Sequence, residues 1–169
     1  MKNQAYLVEE VVVQSDEMAA LCPSSVNTIR LVTILNGDKA SIVAGCVRMS
    51  KGNAFVDNFN HGGLAAILDT NTGKLATDGY DKWRHTYVTH PSTGTVINGY
   101  PIPMWDEVQD LVREAAKVVP QIRYVGWDVA ISRDHGPLLI EGNEFPGQDV
   151  TQYPKLHLGT YDVMLAAIS

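Results

Sequence analysis

Asp128, Glu141 and Asn143 are the residues whose types and spacing promise chemistry. Tyr124–Ser132 and Pro137–Glu141 are largely apolar runs on either side of the turn-forming stretch Arg133–Gly136, and they read as an antiparallel hairpin. With Asp134 and His135 as the two central turn residues, Asp128 falls directly opposite Glu141, their Cβ atoms roughly 5 Å apart. Asn143 lies two residues further on and shares that face where the strand persists. With His135-Gly136 at the centre, Asp128 faces Asn143 instead and the face is unchanged; only a loop with an odd number of residues breaks the arrangement. Two carboxylates so placed repel one another unless something positive sits between them. Together with an amide oxygen they form a hard-oxygen set that suits magnesium, which takes few protein ligands and keeps positions open for substrate phosphates. The alternative is a solvated acidic pair on an exposed strand. Val125, Val129, Ile131, Leu138, Leu139 and Ile140 argue against it, because they make both strands apolar. On the metal reading, Asp128→Asn keeps the fold, removes magnesium or manganese binding and, without metal, raises stability by relieving repulsion.

The elements that must position this hairpin are legible around it. Tyr6–Val13 reads as a strand carrying Glu9 and Glu10 in its middle. Ser15 caps a short helix that runs to Leu21 and is ended by Pro23. Thr28–Leu35 and Ser41–Met49 form a first hairpin about Asn36-Gly37-Asp38-Lys39. Leu64–Leu68 and Lys74–Thr77 bracket a further turn, and Tyr80–Pro103 reads as a long irregular loop. A helix runs from Pro103 to about Val118, with Val108, Leu111, Val112, Ala115 and Val119 at core-facing spacing. A short helix near Tyr161–Ile168 closes the chain. Two hairpins with few helical stretches between them predict an α+β fold, a largely antiparallel sheet with helices on one face, in a single domain over residues 1–169.

Composition narrows the function classes. A formal net charge of -6 disfavours nucleic acid as a partner and suits cations held on clustered carboxylates. No apolar stretch approaches membrane-spanning length, and Glu9 and Glu10 interrupt the apolar run that a signal peptide needs. Cys22 and Cys46 have no CxxC or zinc spacing and read as reduced, buried thiols of a cytoplasmic protein. Trp83, Trp105 and Trp127 have no basic groove beside them and read as core.

Gly126-Trp-Asp128, then Leu139-Ile-Glu-Gly-Asn143 with Pro146-Gly147 beyond, resembles the ATP-grasp superfamily, whose pattern is an Asp on one strand and a second strand ending in Glu-x-Asn. The spacing from Asp128 to Glu141 is that of D-alanine–D-alanine ligases. Arg30, Arg48 and Asn58-Phe-Asn-His-Gly-Gly63 are similar to the segment before this motif in glutamate-adding ligases. More narrowly, Val26-Asn-Thr-Ile-Arg30, His90-Pro-Ser-Thr-Gly94, Gly99-Tyr-Pro-Ile-Pro103 and Val125-Gly-Trp-Asp128 look like the sugar-transfer-associated, alpha-L-glutamate-ligase-related ATP-grasp proteins.

The resemblance implies ATP clamped between two α+β subdomains, and a carboxylate substrate activated as an acyl phosphate for attack by an amine or related nucleophile. Asp128, Glu141 and Asn143 would hold magnesium on the phosphates. Glu9, Glu10 and Val11 resemble the hinge strand that reads ribose and adenine, and an exposed strand edge is their plain reading. Ile140 would pack on the adenine face or in the core. Arg48 would sit at the transferring phosphate. Arg30 would share that role or hold the substrate carboxylate, and each arginine equally suits a structural ion pair. Asn58 and His90 would contact substrate, with an ordinary loop histidine as the alternative at His90. The family's small subdomain, with its glycine-rich phosphate loop and lysines, should precede the hinge strand, and almost nothing precedes Tyr6 here. The expectation is therefore a C-terminal catalytic subdomain, truncated on its N-terminal side, whose partner is the missing half or a second copy. As it stands, such a chain would be catalytically silent and bind nucleotide weakly. Gly126 stands where the D-alanine ligases carry an arginine. A non-catalytic remnant and a metal-dependent hydrolase are the competing readings.

Overall fold

The computed structural model describes residues 10–52, 59, 62–147 and 161–169. In chain order these form α1 (Asp16–Leu21), β1 (Thr28–Asn36), β2 (Lys39–Met49), β3 (Leu64–Asp69), β4 (Lys74–Leu75), β5 (Gly79–Tyr80), β6 (Thr86–Tyr87), α2 (Trp105–Val118), β7 (Tyr124–Ser132), β8 (Gly136–Asn143) and α3 (Tyr161–Ile168). The strands make one sheet in the order β6-β5-β3-β2-β1-β7-β8, with β4 pairing β3, and every pairing is antiparallel. The fold is α+β, as the hairpin signals predict.

Alternation along the strands sorts the core. Ile29 and Leu31 of β1, Val47 and Met49 of β2, and Val129 and Ile131 of β7 point to the face covered by α1 and α2. The α2 helix presents Val108, Val112 and Ala116, while Val119 lies exposed past its end. The opposite face carries two smaller clusters. Cys46, Ala65, Tyr80 and Phe59 pack together at one end. Val32, Ile34 and Val43 pack at the other under Met164 and Ala167 of α3, so this helix lies across the sheet from the other two.

Several elements differ from the sequence expectation. Residues 10–13 form no strand; among the described residues the N-terminal segment joins the sheet at Gln14, which bridges Ser132. Residues 6–9 lie outside the described part. The long segment after Tyr80 holds β6 and a further bridge between Thr89 and Val96. Strands of two residues carry too little periodicity to be seen in sequence. The α2 helix starts at Trp105, because Met104 takes a left-handed φ of 50°.

Candidate functional site

The face opposite α1 and α2 bears a row of directly paired residues. Ile67 on β3 faces Cys46 on β2, Cys46 faces Arg30 on β1, Arg30 faces Asp128 on β7, and Asp128 faces Glu141 on β8. Cross-strand partners share a face, so the row runs from the cluster around Cys46 out to the sheet edge at Glu141. Arg48 sits two residues beyond Cys46 and reaches into the row diagonally. Asn143 pairs with Gly126 in the adjacent row and donates its side-chain amide to Glu141 Oε1 at 3.0 Å.

Asp128 is the centre of this arrangement, at 3% exposure. Its Oδ1 accepts from Arg30 Nε. Its Oδ2 accepts from Arg30 Nη2 at 2.8 Å and from Arg48 Nη2 at 2.9 Å. Burial pushes the Asp128 carboxyl up, but the Arg30 hydrogen bond and the charges of both arginines outweigh it and hold the group below the usual carboxylate range. Arg30, itself 8% exposed, is moved in the matching sense: burial disfavours its charge and Asp128 more than restores it.

The pairing of Asp128 with Glu141 comes about differently from the sequence argument. The turn holds three residues, Arg133 to His135, and closes on Gly136 at φ +68°. An odd loop should put Glu141 out of register. A β-bulge removes the error, since Val129 pairs Leu139, Asp128 pairs Glu141, and Ile140 is the extra residue between them. The bulge also puts Leu138, which pairs Ala130, on the same face as Glu141 although the two are three apart. Ile140 is 51% exposed at the sheet edge.

Glu10 and Val11 do approach β7 and β8. With Val12, Val13, Ser132, Asp134, His135 and Leu138 they line a small cavity of about 110 Å³. Ile140 is not among its lining residues, and Leu138 is the apolar residue that sequence reasoning missed. Glu9 and Asn58 lie outside the described residues.

His90 is not brought to the arginines. Its ring is 1% exposed, with Nε2 at 2.7 Å from the Ser50 carbonyl and Nδ1 at 3.1 Å from Ser92 Oγ. A carbonyl only accepts, so Nε2 carries the proton and Nδ1 accepts. Both nitrogens are thus used in tying two loops together, which is the ordinary loop-histidine alternative. Cys22 lies in the same buried cluster. Burial pushes its thiol up, but the neighbouring His90 ring and the hydroxyl contacts of Ser24 and Ser50 outweigh this and bring it to about 6.

Residues 1–156 match the family described as sugar-transfer associated ATP-grasp. The chain belongs to that family. No curated protein and no solved structure matches it. For a sugar-transfer associated ATP-grasp chain, Gly126 now has a physical reason. A Cβ there would lie 2.5 Å from Pro146 Cβ and 3.4 Å from Arg30 Cδ, so the glycine is what lets buried Pro146 fold back beside the Arg30 stem. Gly126→Ala should push Pro146 away and cost about 1–3 kcal/mol as overpacking, which urea denaturation will measure.

The donor set can be tested against a divalent ion. Two carboxylates and an amide oxygen on one face are the hard oxygens magnesium takes. Among the described residues no group of three or more His, Cys, Asp or Glu gathers, so phosphate oxygens of a ligand would have to complete the coordination. The types and the shared face fit, and Asp128's oxygens are directed at guanidinium groups as they stand.

Proposed function

We propose that this face holds the phosphates of ATP with magnesium, in a ligase that joins a carboxylate to an amine or related nucleophile through an acyl phosphate. The observation that carries the reading is the row Arg30–Asp128–Glu141, with Arg48 and Asn143 alongside. It gathers two guanidiniums and two carboxylates on one sheet face, and membership of an ATP-grasp family supports reading the row as a nucleotide-phosphate site. Asp128, Glu141 and Asn143 would hold the metal, which when bound neutralises phosphate charge. Arg48 and Arg30 offer rigid, permanently charged donors to phosphoryl and acyl oxygens. The cavity beside Glu10, Val11 and Leu138 lies further along the same hairpin. It would take the base, with the Glu10 carboxylate accepting from a ribose hydroxyl. Glu9 and Asn58 would add ribose and substrate contacts. The family description sets the reaction beside sugar transfer, so we read one of the joined substrates as part of a carbohydrate-linked compound, handled in the cytoplasm where ATP is made.

The test is calorimetric. Glu141→Gln, a change on an exposed side chain, should weaken binding of magnesium-ATP about tenfold or more with little change in folding. Equal affinity for wild type and Glu141→Gln would sink the assignment. ADP release that requires both a carboxylate and an acceptor would separate a ligase from a hydrolase built on the same groups.

A further inference from the structure

We propose that Arg30 and Arg48 are a resident counter-cation for Asp128, from which an incoming polyphosphate draws Arg48 away as a divalent metal takes its place, so that the two ligands bind with positive coupling. This rests on the reading of Asp128 as a metal ligand.

The occupancy of the carboxylate is the starting point. A carboxylate offers about four lone-pair sites. Arg30 Nε takes Oδ1, and Arg30 Nη2 and Arg48 Nη2 share Oδ2. Three of the four are taken, and a metal at the one left on Oδ1 would share that oxygen with Arg30 Nε, so close approach of like charges disfavours both staying. Charge gives the same answer. Among the described residues, Arg30 and Arg48 supply two positive charges against the two negative charges of Asp128 and Glu141, so these four groups balance without a cation. A divalent ion entering alone would leave a surplus of positive charge around a group only 3% exposed, and such a surplus is costly. A polyphosphate resolves it, because a guanidinium can bind phosphate oxygens in a forked geometry. Arg48 is the arginine suited to move. Its side chain is twice as exposed as that of Arg30, 20% against 10%, and it reaches Asp128 from a neighbouring row through Nη2. Arg30 is held by direct strand pairing with Asp128.

The experiment measures binding rather than turnover. Manganese alone is titrated by electron paramagnetic resonance into wild type, Arg48→Gln, Glu141→Gln and Asp128→Asn. Half-molar salt is used so that through-space attraction is screened and direct contact dominates. Metal-free tripolyphosphate is titrated separately by calorimetry. Wild type should bind manganese weakly. Arg48→Gln should bind it about tenfold tighter and lose about as much affinity for tripolyphosphate. Glu141→Gln, which keeps its fold whatever Asp128→Asn does, should weaken manganese binding. Manganese affinity unchanged by Arg48→Gln but lowered by Asp128→Asn and Glu141→Gln would overturn the displacement and leave the metal site standing. Manganese affinity indifferent to all three variants would overturn both readings.

Discussion

Asp128→Asn is expected to lower the stability of the unliganded protein by about 4 kcal/mol, the order found when one partner of a buried ion pair is removed. At roughly 2–4 °C per kcal/mol for a chain of this length, the thermal midpoint should fall on the order of 10 °C. Sequence alone gives the opposite sign, because Asp128 opposite Glu141 looks like an unrelieved repulsion. The structure reverses it. Arg30 and Arg48 already neutralise the pair, and Asp128 is the acceptor for three guanidinium hydrogen bonds. Asparagine keeps one acceptor oxygen and replaces the other with an amide nitrogen that faces the guanidiniums. The buried Arg30 charge is then left with half a partner, and water reaches it poorly. Differential scanning calorimetry on wild type, Asp128→Asn and Glu141→Gln checks this. The exposed Glu141→Gln should stay within about 0.5 kcal/mol of wild type. A midpoint for Asp128→Asn at or above wild type would mean that carboxylate repulsion governs the site after all.

What the sequence disclosed about this row, and what it withheld, follows from the range of each interaction. The face on which Asp128 lies was readable because Val129 and Ile131 must enter the core, and alternation then turns Asp128 the other way. The pairing with Glu141 was reached through a two-residue turn that does not exist. The three-residue turn and the bulge at Ile140 are each shifts of one, and they cancel. A bulge has no residue signature of its own, so neither the compensation nor the turn of Leu138 toward the site was visible. Arg30 and Arg48 stand 98 and 80 residues before Asp128. Local pattern says nothing about which strand lies beside β7, and only the family resemblance suggested those arginines. The buried cluster of Cys22, Ser50 and His90 was hidden for the same reason, since its members join three separate loops. The Asp81 turn was missed although it left a trace. An aspartate followed by Lys82-Trp83-Arg84-His85 can fold the chain back onto its own carboxylate.

That turn supports the second large expectation. Asp81, 1% exposed, accepts from the backbone N–H groups of Trp83 and His85, from Lys51 Nζ at 2.8 Å and from the Tyr87 hydroxyl at 3.1 Å. One carboxylate thereby fixes β5 to β6 and pins Lys51 just beyond β2, close to the Tyr87 and Trp83 rings. Burial pushes its carboxyl up, but the bonds from Lys51, His85 and Tyr87 outweigh this and hold it far below the usual carboxylate range. Its folded-state value is depressed, so its contribution to stability is complete above the unfolded value near 3.9 and is lost as pH falls towards the folded one. Asp128 is shifted in the same direction and adds to the same window. Wild type should therefore lose stability steeply from about pH 5 downward. Asp81→Asn should cost about 3 kcal/mol at pH 7, because Lys51 loses its ion pair and the amide cannot accept at every former contact. The same variant should show a shallower decline in acid, since one of the shifted carboxylates is gone, and the gap between the curves should narrow from pH 4 to pH 3 and go on narrowing below that. Urea denaturation at pH 7, 5, 4 and 3 gives both curves. Parallel curves with a constant gap would show that the Asp81 contribution is packing and hydrogen bonding alone, without its charge.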